Sequence, residues 1–589
     1  MRNLLIFLLL TVTAGIQSQG LPLPIGNPTY DLLDRLTLKY GFQDIPRPAF
    51  HPGQRPVDRG GIIRLLKTYD EQYGASLSKP DRYWLDYAYA DNNEWLALST
   101  LREDNKDRSQ KWLTDSLAVR SEQEPIYQES KRSVFNYFYR TPANLLEVNR
   151  PSFFLRLNPI LDLRYGKMQD DAEDYIYNRR GVELRGGVDE RLFFYFQIVE
   201  TQSSQPNYLR DFRTRFGSVP GAGFVKEFSG LGITNGIDFL NSQGYLSFDI
   251  TPHVGLRTGY GNHQIGFGER SLLLSDFSNN YPFLEVNWRV WKFHYKNLFA
   301  ELTDGAFQRT APNQPLPKKY LAGHHLSIDI GKRLNVGIFE AVILNRENGF
   351  ELAYLNPVIF YRTIEGSLGS PDNVLIGFDG SYQLPSLRLY GQFILDEFKF
   401  DELFQLRRGW WGNKWALQAG IQYVDAFGLD QLNFRLEYNR ARPYIYTHRD
   451  GANSYAHIGM PLAHPLGANF SETLLHASYK PFPRLQLDAR LYLIDQGEDD
   501  FENNIVFGEN VNTGHDDRSM DFGNEIGQGV NYSTQLIALE ASYMLRHNLF
   551  LEGTFLQRSK DSERNSRDLE TTYLNLGLRL NVHRRKDYF

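Results

Sequence analysis

The chain has 589 residues, 64 Lys and Arg against 70 Asp and Glu, a net charge of −6 at pH 7, and no cysteine. This composition excludes disulfides, thiolate metal sites, a cysteine nucleophile and a lipid-modified cysteine, and it has no basic excess to hold nucleic acid. Aromatic residues make up 14% of the chain while mean hydropathy is −0.45, too polar for membrane helices but the combination expected of a transmembrane barrel, whose strands are apolar on one face only.

The N-terminal MRNLLIFLLLTVTAGIQSQG carries Arg2, an apolar run from Leu4 to Ala14, and then small and polar residues. It predicts a cleaved secretory signal over residues 1–19, because the run is shorter than the roughly 20 residues a membrane helix needs. Residues 20–148 predict a helical region that faces the periplasm or plugs a barrel. Leu32, Leu33 and Leu36 share a face that stops at Gly41. Ile62, Leu65, Leu66, Tyr69 and Tyr73 follow helical spacing, and Ser78, Pro80 and Asp81 form a helix start. With so few apolar residues, these helices need another surface to pack on.

From residue 149 to 589 the period becomes two, which predicts an all-β transmembrane barrel. In the last segment Leu574, Leu576, Leu578, Leu580 and Val582 alternate with Tyr573, Asn575, Gly577, Arg579, Asn581 and His583. Leu485, Leu487, Ala489, Leu491 and Leu493 alternate in the same way with Gln486, Asp488, Arg490 and Tyr492. About 18 antiparallel strands can be placed between 151–165 and 569–583, an even number as in bacterial barrels. One strand is placed at 243–252. Short turns alternate with long loops at 204–242, 262–282, 304–317, 347–373, 398–413, 443–469, 496–531 and 559–568, as periplasmic turns and outer loops should. The chain ends RRKDYF, a terminal aromatic that fits an assembly signal imperfectly because charge intervenes.

Candidate ligand-binding residues fall on the outer loops. Trp410 and Trp411 in GWWGNKW could stack on sugar rings or sit in an aromatic girdle. The stretch RPYIYTHRDGANSYAHIGMPLAHPLGANFSE, residues 442–472, supplies Tyr444, Tyr446, His448, Tyr455, His457, His464 and Asn469, with Arg442, Pro443, Tyr444 and Tyr446 at the upper interface. The histidine spacings of nine and seven match no helical or zinc-finger pattern, so loop hydrogen bonding is the simpler reading than metal. No serine has the flanking residues of a nucleophile, so neither enzyme nor cofactor is expected. The acidic run from Gln496 to Val530 offers oxygen ligands for Ca²⁺, though a solvated outer loop explains it more simply. Arg388, Asp396, Arg435, Glu437, Asp488, Arg490 and Arg579 carry both signs on lumen faces and predict a polar network that fills the interior. The other reading of such a lumen is a porin or substrate-specific channel.

Four runs carry a resemblance: NPVIFYRTIEGSLGSPDNVLIGFD (356–379), LYGQFILDEF (389–398), GWWGNKWALQAGIQY (409–423) and the stretch from Asn439 to Glu472. They resemble the capsule-assembly Wzi family of outer-membrane proteins, and within it the Bacteroidetes branch of the gliding-motility protein RemB. The resemblance implies an 18-stranded outer-membrane barrel with a periplasm-facing helical bundle. It further implies a non-enzymatic role that anchors or organises capsular polysaccharide, or supports gliding and surface adhesion. The implied partners are outer-membrane lipid, capsular or exopolysaccharide, gliding or secretion machinery, and the barrel-assembly machinery during biogenesis.

Overall fold

The computed structural model describes residues 20–96 and 138–589, apart from 43–44, 49, 151, 170–172, 190, 306–313, 347–348, 357–359, 371, 398–407 and 585–587. The signal segment lies outside the described residues.

The chain forms a closed barrel of 18 antiparallel strands. They are β1 (Phe153–Met168), β2 (Asp174–Val188), β3 (Leu192–Ser203), β4 (Ile233–Thr251), β5 (Val254–Gly261), β6 (Tyr281–Val290), β7 (Phe293–Thr303), β8 (Lys318–Ile330), β9 (Leu334–Leu344), β10 (Asn373–Leu384), β11 (Leu387–Asp396), β12 (Trp415–Val424), β13 (Leu432–Ala441), β14 (Phe470–Phe482), β15 (Leu485–Glu498), β16 (Val530–Arg546), β17 (Leu549–Ser562) and β18 (Leu569–Leu580). Each pairs with its neighbour in sequence, and β18 closes on β1 from Leu580↔Leu161 to Tyr573↔Met168. Closure leaves no strand edge unpaired in the membrane, where an open edge would cost several kcal/mol per lost hydrogen bond.

Burial runs opposite to that of a soluble protein. On β18 Leu574 and Leu576 are 58% and 64% exposed, while Asn575 and Arg579 between and beside them are buried. On β13 Leu436 and Tyr438 point outward and Glu437 and Asn439 are fully covered. The apolar face therefore meets lipid and the polar face fills the lumen. β4 runs ten residues further toward the outside than its sequence pattern suggests, and the short strand Lys226–Gly230 pairs with the added part. Its upper half, ITNGIDFLNS, alternates too weakly to give a period-two signal.

The lumen is packed from both ends. Three helices, α1 (Thr29–Tyr40), α2 (Arg59–Tyr73) and α3 (Lys79–Asp91), sit at the end with the short turns. Gly41 terminates α1 at φ 68°, the Asp58 carboxylate accepts the Gly60 and Gly61 N–H groups to start α2, and Ser78 Oγ caps α3. Their polar groups are tied to barrel turns. Arg35 pairs with Asp81, Asp425 and Asp430, Arg388 reaches Asp34, and Tyr87 donates to Asn548. From the opposite end the loop between β5 and β6 descends into the lumen. There Gln264–Ile265 forms a two-residue ladder with Gln54–Arg55 of the N-terminal region.

The C-terminal tail also enters the lumen. Arg584 pairs with Glu552 and Asp488, Tyr588 donates to Glu540, and the Phe589 ring packs against Tyr208, Phe212 and Phe277. The terminal aromatic thus lies inside the barrel, away from the membrane face of β18. Two more helices belong to outer loops: α4 (Asn207–Phe216) over the mouth and α5 (Tyr361–Leu368). The loop carrying α5 was expected on the outer platform. It lies instead against the outer wall of β8–β10, where Tyr354, Tyr361 and Ile364 cover Ala322, Val342, Leu344 and Val374.

Candidate functional site

The histidine-bearing stretch leaves β13 and folds inward as a lid. Tyr444 and Tyr446 adopt φ of 65° and 70°, a left-handed conformation that bulky residues take only when surroundings hold them there. Tyr446 N–H donates to Asp396 at 2.7 Å and its hydroxyl to the Leu272 carbonyl at 2.8 Å. The hydroxyls of Tyr455 and Tyr444 donate to the Leu273 and Val506 carbonyls, each at 2.8 Å. His457 accepts the Thr303 N–H at Nδ1 and donates from Nε2 to the Asn280 carbonyl, which fixes its tautomer. Burial holds it down at about 4. His464 donates to Glu472 at 2.8 Å, accepts from Leu466 N–H, and is likewise lowered by burial. His448 accepts the Asp450 N–H. The Asn469 amide is fully used, donating to Gly497 and Gln528 carbonyls and accepting from Gly527 N–H.

The sequence places this stretch as an outer loop partly folded over or into the barrel mouth, and folded in this way it leaves the candidate ligand-binding side chains little open surface. Tyr444, Tyr446, His448, Tyr455, His457, His464 and Asn469 are all buried, and Arg442, Tyr444 and Tyr446 form no membrane girdle. They are the framework of the lid. Trp410 and Trp411 are half-buried. Trp411 packs on His515 at 4.6 Å with the Arg518 guanidinium 4.4 Å over its ring.

Beneath the lid lie the seven lumen residues. Glu437 accepts the N–H groups of Glu269 and Arg270 and the Tyr390 hydroxyl. Arg435 donates to the Phe267 carbonyl, Arg490 joins Glu269 and Glu540, Asp488 receives His476 and Arg584, and Arg579 holds Glu552. Arg388 and Asp396 make the contacts given above. The strand charges therefore grip the descending loop, the plug and the tail.

The part of the mouth that stays open lies beside the lid. A cleft of about 490 Å³ is bounded by α4, the loop after β15 and the hairpin between β17 and β18. At its floor Arg215 makes one bond to Glu498 and two to Glu509, at 2.8–2.9 Å. Lys560 and Arg567 also reach Glu498, and Arg564 and Arg567 reach Asp500. Burial, together with Asp499 and Glu498, pushes Glu509 up to about 7 against the pull of Arg215. Phe501 is 54% exposed at the rim, with Glu502, Asp211, Ser566 and Asp568 around it. Within the acidic run Glu498, Asp500 and Glu509 are thus met by arginine or lysine, and Asp499 accepts the Phe507, Gly508 and Asn510 N–H groups. Among the described residues no cluster of three His, Asp or Glu side chains is arranged to hold a metal ion.

Of these cleft residues Glu498, Asp499, Asp500, Glu502 and Glu509 belong to the acidic run read above as offering oxygen ligands, whereas those of α4 and of the hairpin between β17 and β18 were not singled out in the sequence, although α4 has readable punctuation. Pro206 opens NYLRDFRTRF, Gly217 closes it at φ 69°, and Tyr208 and Phe212 share the buried face.

The family model described as "Capsule assembly protein Wzi" matches residues 173–515, more than half of the chain. The chain belongs to the Wzi capsule-assembly family. No curated relative matches it. Among solved structures, it is similar to Wzi of Escherichia coli, described as an outer-membrane carbohydrate-binding β-barrel involved in group 1 capsule assembly. Identity is 12%, coverage is 97% of this chain and 100% of that one, and the TM-score is 0.53. OprD of Pseudomonas aeruginosa gives 11% identity over 72% of this chain and 94% of that one, with a TM-score of 0.39. The family and the fold make this an outer-membrane barrel.

Proposed function

We propose that this protein is a non-enzymatic barrel that holds capsular polysaccharide at the outer surface of the cell. The observation that carries the reading is a cleft lined by charged side chains at the outer mouth, above a lumen packed with lid, loop, plug and tail. A glycan that settles there is retained and has no path onward. Phe501 and Phe216 offer ring faces for sugar C–H groups, while Asp211, Glu502, Arg567 and Asp568 offer hydroxyl or carboxylate partners. The half-buried Trp410 and Trp411 form a second contact patch, and the seven buried lid residues hold both patches in place. The description of the E. coli protein as carbohydrate-binding supports this reading. A finer part of the proposal rests on sequence resemblance alone: that the chain is a Bacteroidetes member close to RemB, whose glycan contacts serve gliding and adhesion and engage motility or secretion machinery. A diffusive channel is disfavoured by the packed lumen.

The test compares retained with shed polysaccharide in a deletion strain complemented by wild type or by a Phe501→Ala, Glu502→Ala variant. Deletion should move polysaccharide to the medium at unchanged total, and the variant should complement poorly while reaching the membrane normally. Unchanged retention on deletion would overturn the anchoring role, and full complementation by the variant would move the contact away from this cleft.

A further inference from the structure

The lipid-facing wall carries polar residues across three adjacent strands. Leu326 and Ile330 mark the outward face of β8, whereas His325 and Asp329 point inward to Gln54 and Arg47. By the same alternation His324 faces out. Its direct partners are Asn297 on β7 and Glu340 on β9, which also face out. His324 stands six positions from Ile330 at the periplasmic end of β8, and Glu340 six positions from Leu334 at that end of β9. On β18 the same six positions run from Leu580 to Leu574, and Leu574, Leu576 and Leu578 along them are exposed. The stripe Asn297–His324–Glu340 therefore lies at a height that other strands give to lipid-facing leucines, where a bare carboxylate is strongly unfavourable.

The α5 loop covers it. Glu340 accepts the Tyr361 and Arg362 N–H groups at 2.9 and 3.2 Å, so a side chain of the barrel wall caps the helix. His324 lies 3.0 Å from Glu340, and its ring is 4.5 Å from that of Tyr361. The base of the loop is clasped by Arg346, Tyr354 and Ser370 on Asp372. As a result Asn297 and Glu340 are buried. The other side of the loop exposes four large apolar side chains, Leu352 at 74% and Phe360 at 56% with Leu355 and Leu368, alongside the polar Asn356, Arg362, Thr363 and Ser367. In water this would be an unexplained apolar patch. At this height it continues the lipid-facing belt of the barrel.

We propose that Leu352–Leu355 and Phe360–Leu368 are embedded in the outer leaflet, with Leu352, Leu355, Phe360 and Leu368 against acyl chains and the inner face sealing the Asn297–His324–Glu340 stripe. The occupant of the exposed face is lipid, because its four large apolar side chains continue the belt, and of the polar groups beside them Arg362 pairs with Glu365 and Ser367 donates to the Thr363 carbonyl within the helix.

The chain has no cysteine, so single cysteines report cleanly. Leu352→Cys and Leu368→Cys are labelled with bimane and reconstituted in phosphatidylcholine vesicles with or without brominated acyl chains. Leu576→Cys serves as the belt control and Asp516→Cys as the outer-loop control, with heat-modifiable migration to confirm folding. The two loop probes should lose fluorescence to brominated chains to the extent of Leu576→Cys and resist aqueous iodide. Iodide quenching to the extent of Asp516→Cys would overturn the proposal. Protection from both quenchers would also overturn it, in favour of a protein neighbour.

Discussion

At the scale of single residues, Glu509 is the side chain whose charge the cleft controls. Its ordinary carboxyl range lies near 4.3 in an unfolded chain, and in the fold it is pushed up to about 7, with Arg215, Lys560, Glu498 and Asp499 around it. A carboxyl raised in this way contributes stability in full below the unfolded value. That contribution declines as pH rises through 7 and is gone above it. We expect the mouth to loosen by on the order of 1 kcal/mol between pH 5 and 8, read as faster hydrogen exchange in α4 and in the loop after β15. Glu509→Gln should abolish that dependence, and an unchanged pH profile in the variant would mean another group titrates. The lumen charges were readable in the sequence because Arg435, Glu437, Asp488 and Arg490 sit at alternate positions on strands whose other face is apolar. Glu509 was not, because nothing in a run of acidic loop residues tells which one will be covered.

At the scale of elements, the strands and their turns were legible and the loops were not. Alternation such as Leu485, Leu487 and Ala489 against Gln486 and Asp488 states which side meets lipid, and lipid enforces it along the whole strand. A loop has no such referee. The lid's mixture of tyrosine, histidine and asparagine suits water outside the barrel and a polar lumen inside it equally well, so its sequence read as an outer loop partly folded over or into the mouth without telling which side chains pack inward. The same ambiguity hid α5, whose eight residues are too few to announce a face. The apolar anchor of α4 centres on Phe212, packed with Phe216, Phe277 and Phe589 at ring separations of 4.5–6.0 Å. Phe212→Ala should cost α4 about 3 kcal/mol of packing. Exchange protection over 207–216 should fall and the cleft should lose its wall, while the barrel's own melting midpoint stays put. A matching drop in that midpoint would show that α4 and the strands unfold as one unit.

For the whole molecule, the period-two segments and the alternation of short turns with long loops carried the closed barrel, and helical punctuation in the region read as 20–148 announced α1, α2 and α3. That the two ends of the interior touch could not be read, because Gln54 and Ile265 are far apart in sequence and nothing local links them. Closure from both sides leads to a conductance prediction. The reconstituted protein should pass no resolved current, and so should a variant lacking either the plug helices or lid residues 443–468. Only loss of both together with the descending loop and the C-terminal tail should open a steady pore, and steady current through the intact barrel would refute a sealed lumen. The meeting point also has a mechanical meaning. The lid hangs on the Leu272 and Leu273 carbonyls. The strand of chain that carries them is laddered at Gln264–Ile265 to Gln54–Arg55, which runs on through Asp58 into α2 at the inner rim. A tug on a glycan gripped outside therefore has a load path toward the periplasmic side, shared with the barrel wall where Glu437 holds the Glu269 and Arg270 N–H groups and Gln392 holds Leu272 N–H, and its two-residue splice is, among the described residues, the only backbone ladder along it.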